Sequence, residues 1–113
     1  MITIYHNPKC SKSREGLCLL QDKNIDHKVV NYITTPFTFN ELKKIIKLLK
    51  IKPIDLVRTK ESIWKENFKD ETFTDDELIQ LMIDNPKLIE RPIVVNGTKA
   101  VIARPTEKIA EII

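Results

Sequence analysis

Cys10 has the sequence surroundings of a nucleophilic thiol. It follows a short β-prone segment at positions 1–5 and directly precedes a stretch of helical character from about Ser11 to Lys23. The amino terminus of a helix has unsatisfied N–H groups and a partial positive charge, and both stabilise a thiolate. Cysteine pKa values fall from about 8.5 to between roughly 3.5 and 7.5 in such places. We therefore expect a reactive thiolate at Cys10.

The residues next to Cys10 should favour the anionic form further. His6, Lys9, Lys12 and Arg14 all lie close to it in the sequence. Because a nearby positive charge lowers the pKa of a thiol, we expect this group to tune Cys10.

Ser13 stands where a Cys-x-x-Cys protein has its second cysteine. Its hydroxyl can donate a hydrogen bond to the thiolate of Cys10, but it cannot resolve a mixed disulfide. The reducing thiol must therefore come from another molecule.

The second cysteine, Cys18, falls in the apolar pattern of the same helix, so we expect a buried and inert thiol. Two helical turns place it about 12 Å from Cys10, beyond the roughly 7 Å that a disulfide allows. Because Cys-x-x-Cys is absent and His6 and His27 are far apart in sequence, no metal site is expected.

The first third of the chain predicts a βαβ unit. Strands are expected at positions 1–5 and 29–33, with the helix from Ser11 to Lys23 between them and Asn24 as its stop signal. Two strands joined in this way are parallel, with a right-handed crossover.

The middle of the chain is predicted to be helical. Thr38 with Glu41, and Thr74 with Glu77, have the spacing of capping boxes, and each pair precedes an apolar helical pattern. A further short helix is expected around Trp64.

The last part of the chain predicts a hairpin and a helix. Asn96-Gly97 lies between two β-prone runs within residues 91–104, and Pro105 stands where a helix would begin. The complete order is β-α-β, a helical insertion at about 37–88, then β-β-α. We expect one α/β domain over residues 1–113, with a four-stranded mixed sheet and a thioredoxin-like fold.

The composition and charge argue against several classes of function. The net charge is only +3, the lysines are scattered over predicted helix surfaces, and no stacking aromatics accompany them, so nucleic-acid binding is not expected. The segment MITIYHN lacks the pattern of a secretory signal, and no apolar run approaches the roughly 20 residues that span a bilayer. We expect a cytoplasmic protein with no membrane association.

Several motifs together resemble the ArsC family of glutaredoxin-linked arsenate reductases, nearest to its short YfgD-like branch. They are HNPKCSKSR at 6–14, RTKE at 58–61, ERPIVV at 90–95 and ARP at 103–105, in the order and spacing of the family. The resemblance runs essentially from end to end of the chain.

The resemblance implies a chemistry and a set of roles. Cys10 would attack arsenate to form a thiolate–arsenic adduct, glutathione would reduce the adduct, and glutaredoxin would release arsenite. Arg58, Arg91 and Arg104 would form an oxyanion clamp, and His6 would help to lower the pKa of the thiol. A cis Arg91–Pro92 bond would aim Arg91 at the thiol. No metal or tightly bound cofactor is implied, and glutathione would be a co-substrate.

The use of arginine supports the clamp independently. The chain has fifteen lysines and four arginines, and three of these four fall at the clamp positions, while Arg14 follows the cysteine. The rigid fork of a guanidinium matches a tetrahedral oxyanion, whereas the lysine ammonium is a point charge.

Two other classes of function remain open at this point. One is a redox-responsive regulator like the Spx proteins, which contact RNA polymerase; Ser13 removes the second thiol of their switch. The other is a monothiol glutaredoxin-like oxidoreductase acting on glutathione mixed disulfides. A disulfide substrate has no tetrahedral anion to bind, so the arginines argue against the second class.

Overall fold

The computed structural model describes residues 2–113. Its strands are β1 (Ile2–His6), β2 (His27–Asn31), β3 (Ile93–Asn96) and β4 (Lys99–Ile102). Its α-helices are α1 (Ser11–Asp22), α2 (Phe39–Leu49), α3 (Pro53–Leu56), α4 (Ser62–Asn67) and α5 (Asp75–Asp84). Two 3₁₀ helices, Pro86–Leu88 and Thr106–Glu111, complete the elements.

The chain divides into two compact units, each described here by itself. The sheet unit consists of the residues up to Pro36 together with Arg91–Ile113, and the helical unit is Phe37–Glu90.

The sheet unit contains a four-stranded mixed sheet in the order β2-β1-β3-β4. β1 is parallel to β2 and antiparallel to β3, and β3 is antiparallel to β4. The predicted sheet is therefore confirmed. Helix α1 and the 3₁₀ helix Thr106–Glu111 share one hydrophobic core with the sheet, and its buried members are Ile2, Ile4, Leu20, Val94, Ala103, Ile109 and Ile112.

Capping boxes begin the two longest helices of the helical unit, as predicted. The Thr38 hydroxyl accepts from the N–H of Glu41 at 3.2 Å, and the Glu41 carboxylate accepts from the N–H of Thr38 at 3.0 Å. Thr74 and Glu77 repeat this arrangement at 3.2 and 2.9 Å. These side chains satisfy N–H groups that a helix leaves without a partner in its first turn.

Two elements have bounds that differ clearly from the predictions. β2 spans His27–Asn31 instead of residues 29–33, and it ends at Asn31 because the Asn31 side chain accepts from the N–H of Ile33 at 3.0 Å and turns the chain. The last helix is a 3₁₀ helix that begins at Thr106, because Pro105 has an extended backbone with ψ of 162°.

The prediction that Cys18 is buried was wrong: its side chain is exposed. The buried side of α1 is formed by Ser13, Gly16 and Leu20. Cys18 lies two residues from both Gly16 and Leu20, about 200° around the helix from each, and so points to the opposite side. Both cysteines are free thiols, as expected.

Candidate active site

The strand directions bring four loops to one edge of the sheet. The carboxyl end of β1 at His6 pairs with the carboxyl end of β2 at Asn31. On the other side of β1, Tyr5 pairs with Ile93, the first residue of β3, and Ile93 pairs with Ile102, the last residue of β4. The segments that follow β1, β2 and β4, and the segment that precedes β3, therefore leave the sheet at the same edge.

Cys10 occupies the N-cap position of α1, as predicted from the sequence. Its backbone is extended, with φ of −98° and ψ of 125°, and its N–H donates to the carbonyl of Asn7 at 3.0 Å. Among the described residues no side chain caps α1, and its first turn holds no acidic residue. The first N–H groups of the helix are therefore available to an anion.

The pKa of Cys10 lies below its ordinary value. Burial of the thiol, which is the largest single effect, raises the pKa, but several weaker effects together outweigh it. The Arg91 guanidinium donates a hydrogen bond to the thiolate, the backbone N–H groups of Ser13 and Lys12 donate two more, and the positive charge of Arg91 adds to them. The site thus stabilises a thiolate, the form that acts as a nucleophile.

Arg91 is a buried cation, 8% exposed, in the segment that leads into β3. The peptide bond between Arg91 and Pro92 is cis, as predicted. Pro92 packs tightly against α1, since a Cβ added at Gly16 would lie 3.0 Å from the Pro92 side chain. The absence of a side chain at Gly16 thus lets the segment that carries Arg91 approach the helix that carries Cys10.

Behind the thiol, His6 and Ser13 form a buried polar pair. His6 Nδ1 lies 2.7 Å from Ser13 Oγ, and the same hydroxyl accepts from the N–H of Asn7 at 2.9 Å. Ser13 is fully buried, and His6 and Asn7 are nearly so. The pair ties the end of β1 to the first turn of α1.

This geometry corrects the predicted way in which two residues affect the thiol. The Ser13 hydroxyl is engaged by His6 and Asn7, and Ser13 reaches the thiolate through its backbone N–H. The pKa of His6 is lowered, chiefly because burial disfavours the charged ring; a backbone hydrogen bond with Ser13 opposes this, and the charge of Arg14 adds to it. Since an ordinary histidine has a pKa of about 6.5, His6 is neutral at pH 7 and does not supply a positive charge.

Arg14 is exposed, and its Nη1 donates to the carbonyl of Pro8 at 2.9 Å. It therefore ties α1 to the loop that carries Cys10. This is a bond to the loop backbone, and the thiol itself is stabilised by Arg91 and the backbone N–H groups of Lys12 and Ser13.

The other two predicted clamp arginines lie in different places. Arg104 follows β4 in the sheet unit. The N–H of the preceding residue, Ala103, donates to the carbonyl of Pro92 at 2.9 Å, and the N–H of Arg104 itself donates to the carbonyl of Ile102 at 2.8 Å. Arg58 belongs to the helical unit, where its Nε lies 3.2 Å from a carboxylate oxygen of Glu61. Membership of Arg58 in the clamp stays a prediction.

Sequence reasoning missed two residues of this site, Asn7 and Tyr32. Tyr32 is 1% exposed, directly follows β2, and interacts with Arg91 and with the Asn7 side chain. A signal for Tyr32 was present: in a βαβ unit, the residue after the second strand lies beside the loop after the first strand, which here carries the thiol.

Within residues 2–113 no helix is long and apolar enough to cross a membrane. The same residues contain no group of three or more His, Cys, Asp or Glu side chains that could hold a metal ion.

The fold and the site together define a class. A mixed sheet with a cysteine at the amino terminus of its first helix, and a cis-proline before β3, defines a thioredoxin-like α/β protein with a single cysteine at its candidate site. Comparison with known families then gives the particular group. The ArsC family model matches residues 5–112, and the chain belongs to the ArsC family.

Similar proteins match over nearly the whole chain. The protein YfgD of Escherichia coli strain K12 is 46% identical, covering 99% of this chain and 96% of YfgD. A Haemophilus influenzae protein named arsenate reductase is 42% identical, covering 99% of this chain and 98% of its own length. A solved structure of a Vibrio cholerae protein named arsenate reductase superposes with a TM-score of 0.92 at 44% identity, covering 99% of this chain and 97% of the other.

Proposed function

We propose that this protein is an arsenate reductase that uses glutathione and glutaredoxin as reductants, with Cys10 as its nucleophile. The observation that carries the proposal is the placement of the Arg91 guanidinium against the Cys10 thiolate at the uncapped amino terminus of α1. Membership of the ArsC family and relatives named arsenate reductase support the choice of substrate.

The site suits an attack on a tetrahedral oxyanion. The thiolate can displace one oxygen of arsenate, which forms a sulfur–arsenic bond and releases that oxygen as water after protonation. The N–H groups of the first turn of α1 and the fork of Arg91 can hold the remaining oxygens, because both are donors suited to anions. Arg91 already lies beside the nucleophile, so little reorganisation is needed for it to meet the developing charge.

Reduction of the adduct requires a second thiol. When glutathione supplies it, two thiols become one disulfide, arsenic passes from the +5 to the +3 state, and arsenite is released. Ser13 cannot provide this thiol, and Cys18 lies on the exposed side of α1, about 12 Å along the helix from Cys10. Glutaredoxin then takes the glutathione moiety from Cys10 by thiol–disulfide exchange, which regenerates the thiolate.

The proposed oxyanion clamp also includes Arg104 and Arg58. Arg104 directly follows Ala103, whose N–H donates to the carbonyl of Pro92, the residue after Arg91. Arg58 is assigned from its motif, RTKE, alone.

A coupled assay tests the proposal. The purified protein is supplied with arsenate, glutathione and glutaredoxin, and NADPH consumption is followed through glutathione reductase. We expect arsenate-dependent turnover that disappears in Cys10→Ser and persists in Cys18→Ser.

A parallel assay with a glutathionylated peptide in place of arsenate distinguishes arsenate reduction from the reduction of glutathione mixed disulfides. Turnover of the peptide without turnover of arsenate would contradict the proposal and favour a monothiol glutaredoxin-like activity. Absence of arsenate turnover while Cys10 still reacts as a thiolate would reject arsenate as the substrate and retain the nucleophile.

A further inference from the structure

Asn7 is a nearly buried residue that uses three of its polar groups in the loop before the thiol. Its N–H donates to Ser13 Oγ at 2.9 Å, and its carbonyl accepts from the N–H of Cys10 at 3.0 Å. Its side-chain oxygen, Oδ1, accepts from the N–H of Lys9 at 3.1 Å. One residue, directly after β1, therefore contacts the loop, the thiol residue and the first turn of α1.

These hydrogen bonds make residues 7–10 a tight turn. Asn7 and Pro8 stand at its first and second positions, where turns favour asparagine and proline. The bond from the N–H of Cys10 to the Asn7 carbonyl closes the turn, and the bond from the N–H of Lys9 to the Asn7 side chain reinforces it. Arg14 Nη1 donates to the Pro8 carbonyl at 2.9 Å. The turn is thus held from inside by Asn7 and from α1 by Arg14.

The hydrogen bonds of the turn determine where the thiol meets free donors. Pro8 has no N–H group, and the N–H groups of the other three turn residues are all bonded. The first hydrogen bond of α1 runs from the N–H of Arg14 to the carbonyl of Cys10 at 3.0 Å. The N–H groups of residues 11–13 therefore have no partner in the helical pattern. A turn of another shape would move the thiol away from those three groups.

We propose that Asn7 is a positioning residue, whose side-chain oxygen fixes the turn at 7–10 so that the Cys10 thiol lies at the amino terminus of α1. Asn7 is uncharged, so it acts through the backbone of the turn and adds no charge at the thiol. The substrate does not enter this proposal, because it concerns the free protein. It can therefore fail while the proposed arsenate reduction holds, and the reverse is also true.

The first test measures the ionisation of Cys10 without substrate. The rate of alkylation of Cys10 by iodoacetamide is followed against pH in a Cys18→Ser background, with and without Asn7→Ala. We expect Asn7→Ala to raise the apparent pKa of Cys10 by about 0.5 to 1 unit, the range that corresponds to the loss of one hydrogen bond coupled to the thiolate. The ionisable side chains of the site stay unchanged in this variant, namely His6, Arg14, Tyr32 and Arg91. An unchanged profile in a folded Asn7→Ala protein would overturn the proposal.

Asn31 offers a matched control at the same edge of the sheet. Its side-chain oxygen accepts from the N–H of Ile33 at 3.0 Å, also two residues further along the chain, but in a segment that does not carry Cys10. Asn31→Ala should lower the free energy of unfolding, measured with urea, about as much as Asn7→Ala does, and it should leave the alkylation profile unchanged. Equal shifts of the profile in the two variants would mean that any loosening of this edge affects the thiol, and the proposal would be wrong.

A backbone change isolates the bond to Lys9, because Asn7→Ala removes the whole side-chain amide. A synthetic peptide thioester that ends at Lys9 can be ligated to a fragment that begins at Cys10, with an ester in place of the peptide bond between Pro8 and Lys9. The full chain then lacks the N–H of Lys9 and keeps every side chain. In this backbone, and in the same background, Asn7→Ala should shift the pKa of Cys10 much less than in the native backbone. Equal shifts would show that Asn7 acts on the thiol by another route and would contradict the proposal.

A measurement on the parent protein covers the case in which Asn7→Ala does not fold. Lys9 is exposed and lies outside β1 and α1, so without the bond to Asn7 its N–H should exchange with solvent at nearly the rate of an unstructured peptide. We expect exchange at least about tenfold slower, measured by NMR on the ¹⁵N-labelled full chain. Exchange of the Lys9 N–H at the unstructured rate would overturn the proposal.

Discussion

Cys10 and Cys18 lie on the same helix, eight residues apart, and their surroundings differ in almost every respect. Cys18 is the more exposed thiol and lines an open surface groove of about 660 Å³ with side chains of both charges, including Arg14, Glu15 and Lys23. Cys10 is half-buried, yet it meets the free N–H groups of the helix and the guanidinium of Arg91. Exposure and activation are therefore separate properties in this helix.

The comparison also shows what activates a thiol here. The helix terminus supplies N–H donors from residues next to Cys10 in the sequence, whereas Arg91 comes from a segment 81 residues away. The buried pair of His6 and Ser13 fixes the first turn of α1 from below. The helix by itself offers Cys10 only part of this environment, and the sheet supplies the rest.

The largest expected effect separates the two cysteines by activity. Cys10→Ser should abolish arsenate-dependent turnover, because a serine hydroxyl stays protonated at neutral pH and cannot form the sulfur–arsenic bond. Cys18→Ser should keep most of the turnover, because Cys18 lies away from the helix terminus. The coupled NADPH assay measures both variants. Comparable losses in the two would contradict the distinction between the thiols.

The next effect concerns the source of the activation. Arg91→Lys keeps the charge but loses the planar fork, so we expect kcat/KM for arsenate to fall by about 10- to 100-fold, the range for loss of a charge-assisted hydrogen bond. Arg104→Lys, at an exposed residue, should cost less. Steady-state kinetics of the two variants decide the order. If Arg91→Lys had the same kinetics as the parent, the assignment of Arg91 to the active site would be wrong.

A third effect is the pH range in which Cys10 reacts. Because its pKa lies below the ordinary value, the thiolate should persist, and alkylation should remain fast, as the pH falls below the usual range for cysteine titration. The measurement is the iodoacetamide rate between pH 5 and 9 in Cys18→Ser. Arg91→Lys should move the profile to higher pH. A profile with its midpoint at or above the ordinary cysteine pKa would contradict the activation of Cys10.

Local signals in the sequence were sufficient for much of the fold. The capping boxes at Thr38 and Thr74 depend on residues three positions apart, and the Asn96-Gly97 turn depends on two neighbours. Cys10 at the helix start is of the same kind, since the break before α1 is local. Such features are readable because the atoms that interact are close in the chain.

The features that the sequence did not predict depend on which side of an element faces the sheet. Cys18 was assigned to the buried side because Leu17 and Leu20 suggested an apolar stripe, but the buried line runs through Ser13 and Gly16. Ser13 and Gly16 are not typical core residues. Their burial follows from contacts with His6 and Pro92, which the sequence pattern of the helix does not show. The position of the buried Tyr32 next to the loop that carries Cys10 likewise cannot be inferred without the pairing of β1 with β2.

The smallest expected effect concerns the stability of the sheet unit and tests the neutral state of His6. The pKa of His6 is lowered chiefly because burial disfavours the charged ring. The positive charge of Arg14 lowers it further, whereas a backbone hydrogen bond with Ser13 acts in the opposite direction. A lowered pKa in the folded protein means that the unfolded chain binds the proton more readily. The stabilising contribution is therefore complete above the unfolded pKa of about 6.5 and is lost as the pH falls through the folded pKa.

His6→Gln should remove this acid-side loss while keeping a side chain that can hydrogen-bond to Ser13. The free energy of unfolding, measured by urea denaturation at pH 7 and pH 5, should therefore fall less in His6→Gln than in the parent. The difference is limited to about 1.4 kcal/mol for each unit by which the pKa is lowered. His27→Gln is the matched control, because His27 is the other histidine of the chain and its Nδ1 lies 2.7 Å from the backbone carbonyl of Ile25, away from Ser13. Equal losses in the parent and in His6→Gln would mean that folding does not change the affinity of the His6 ring for a proton, which would contradict the lowered pKa of His6.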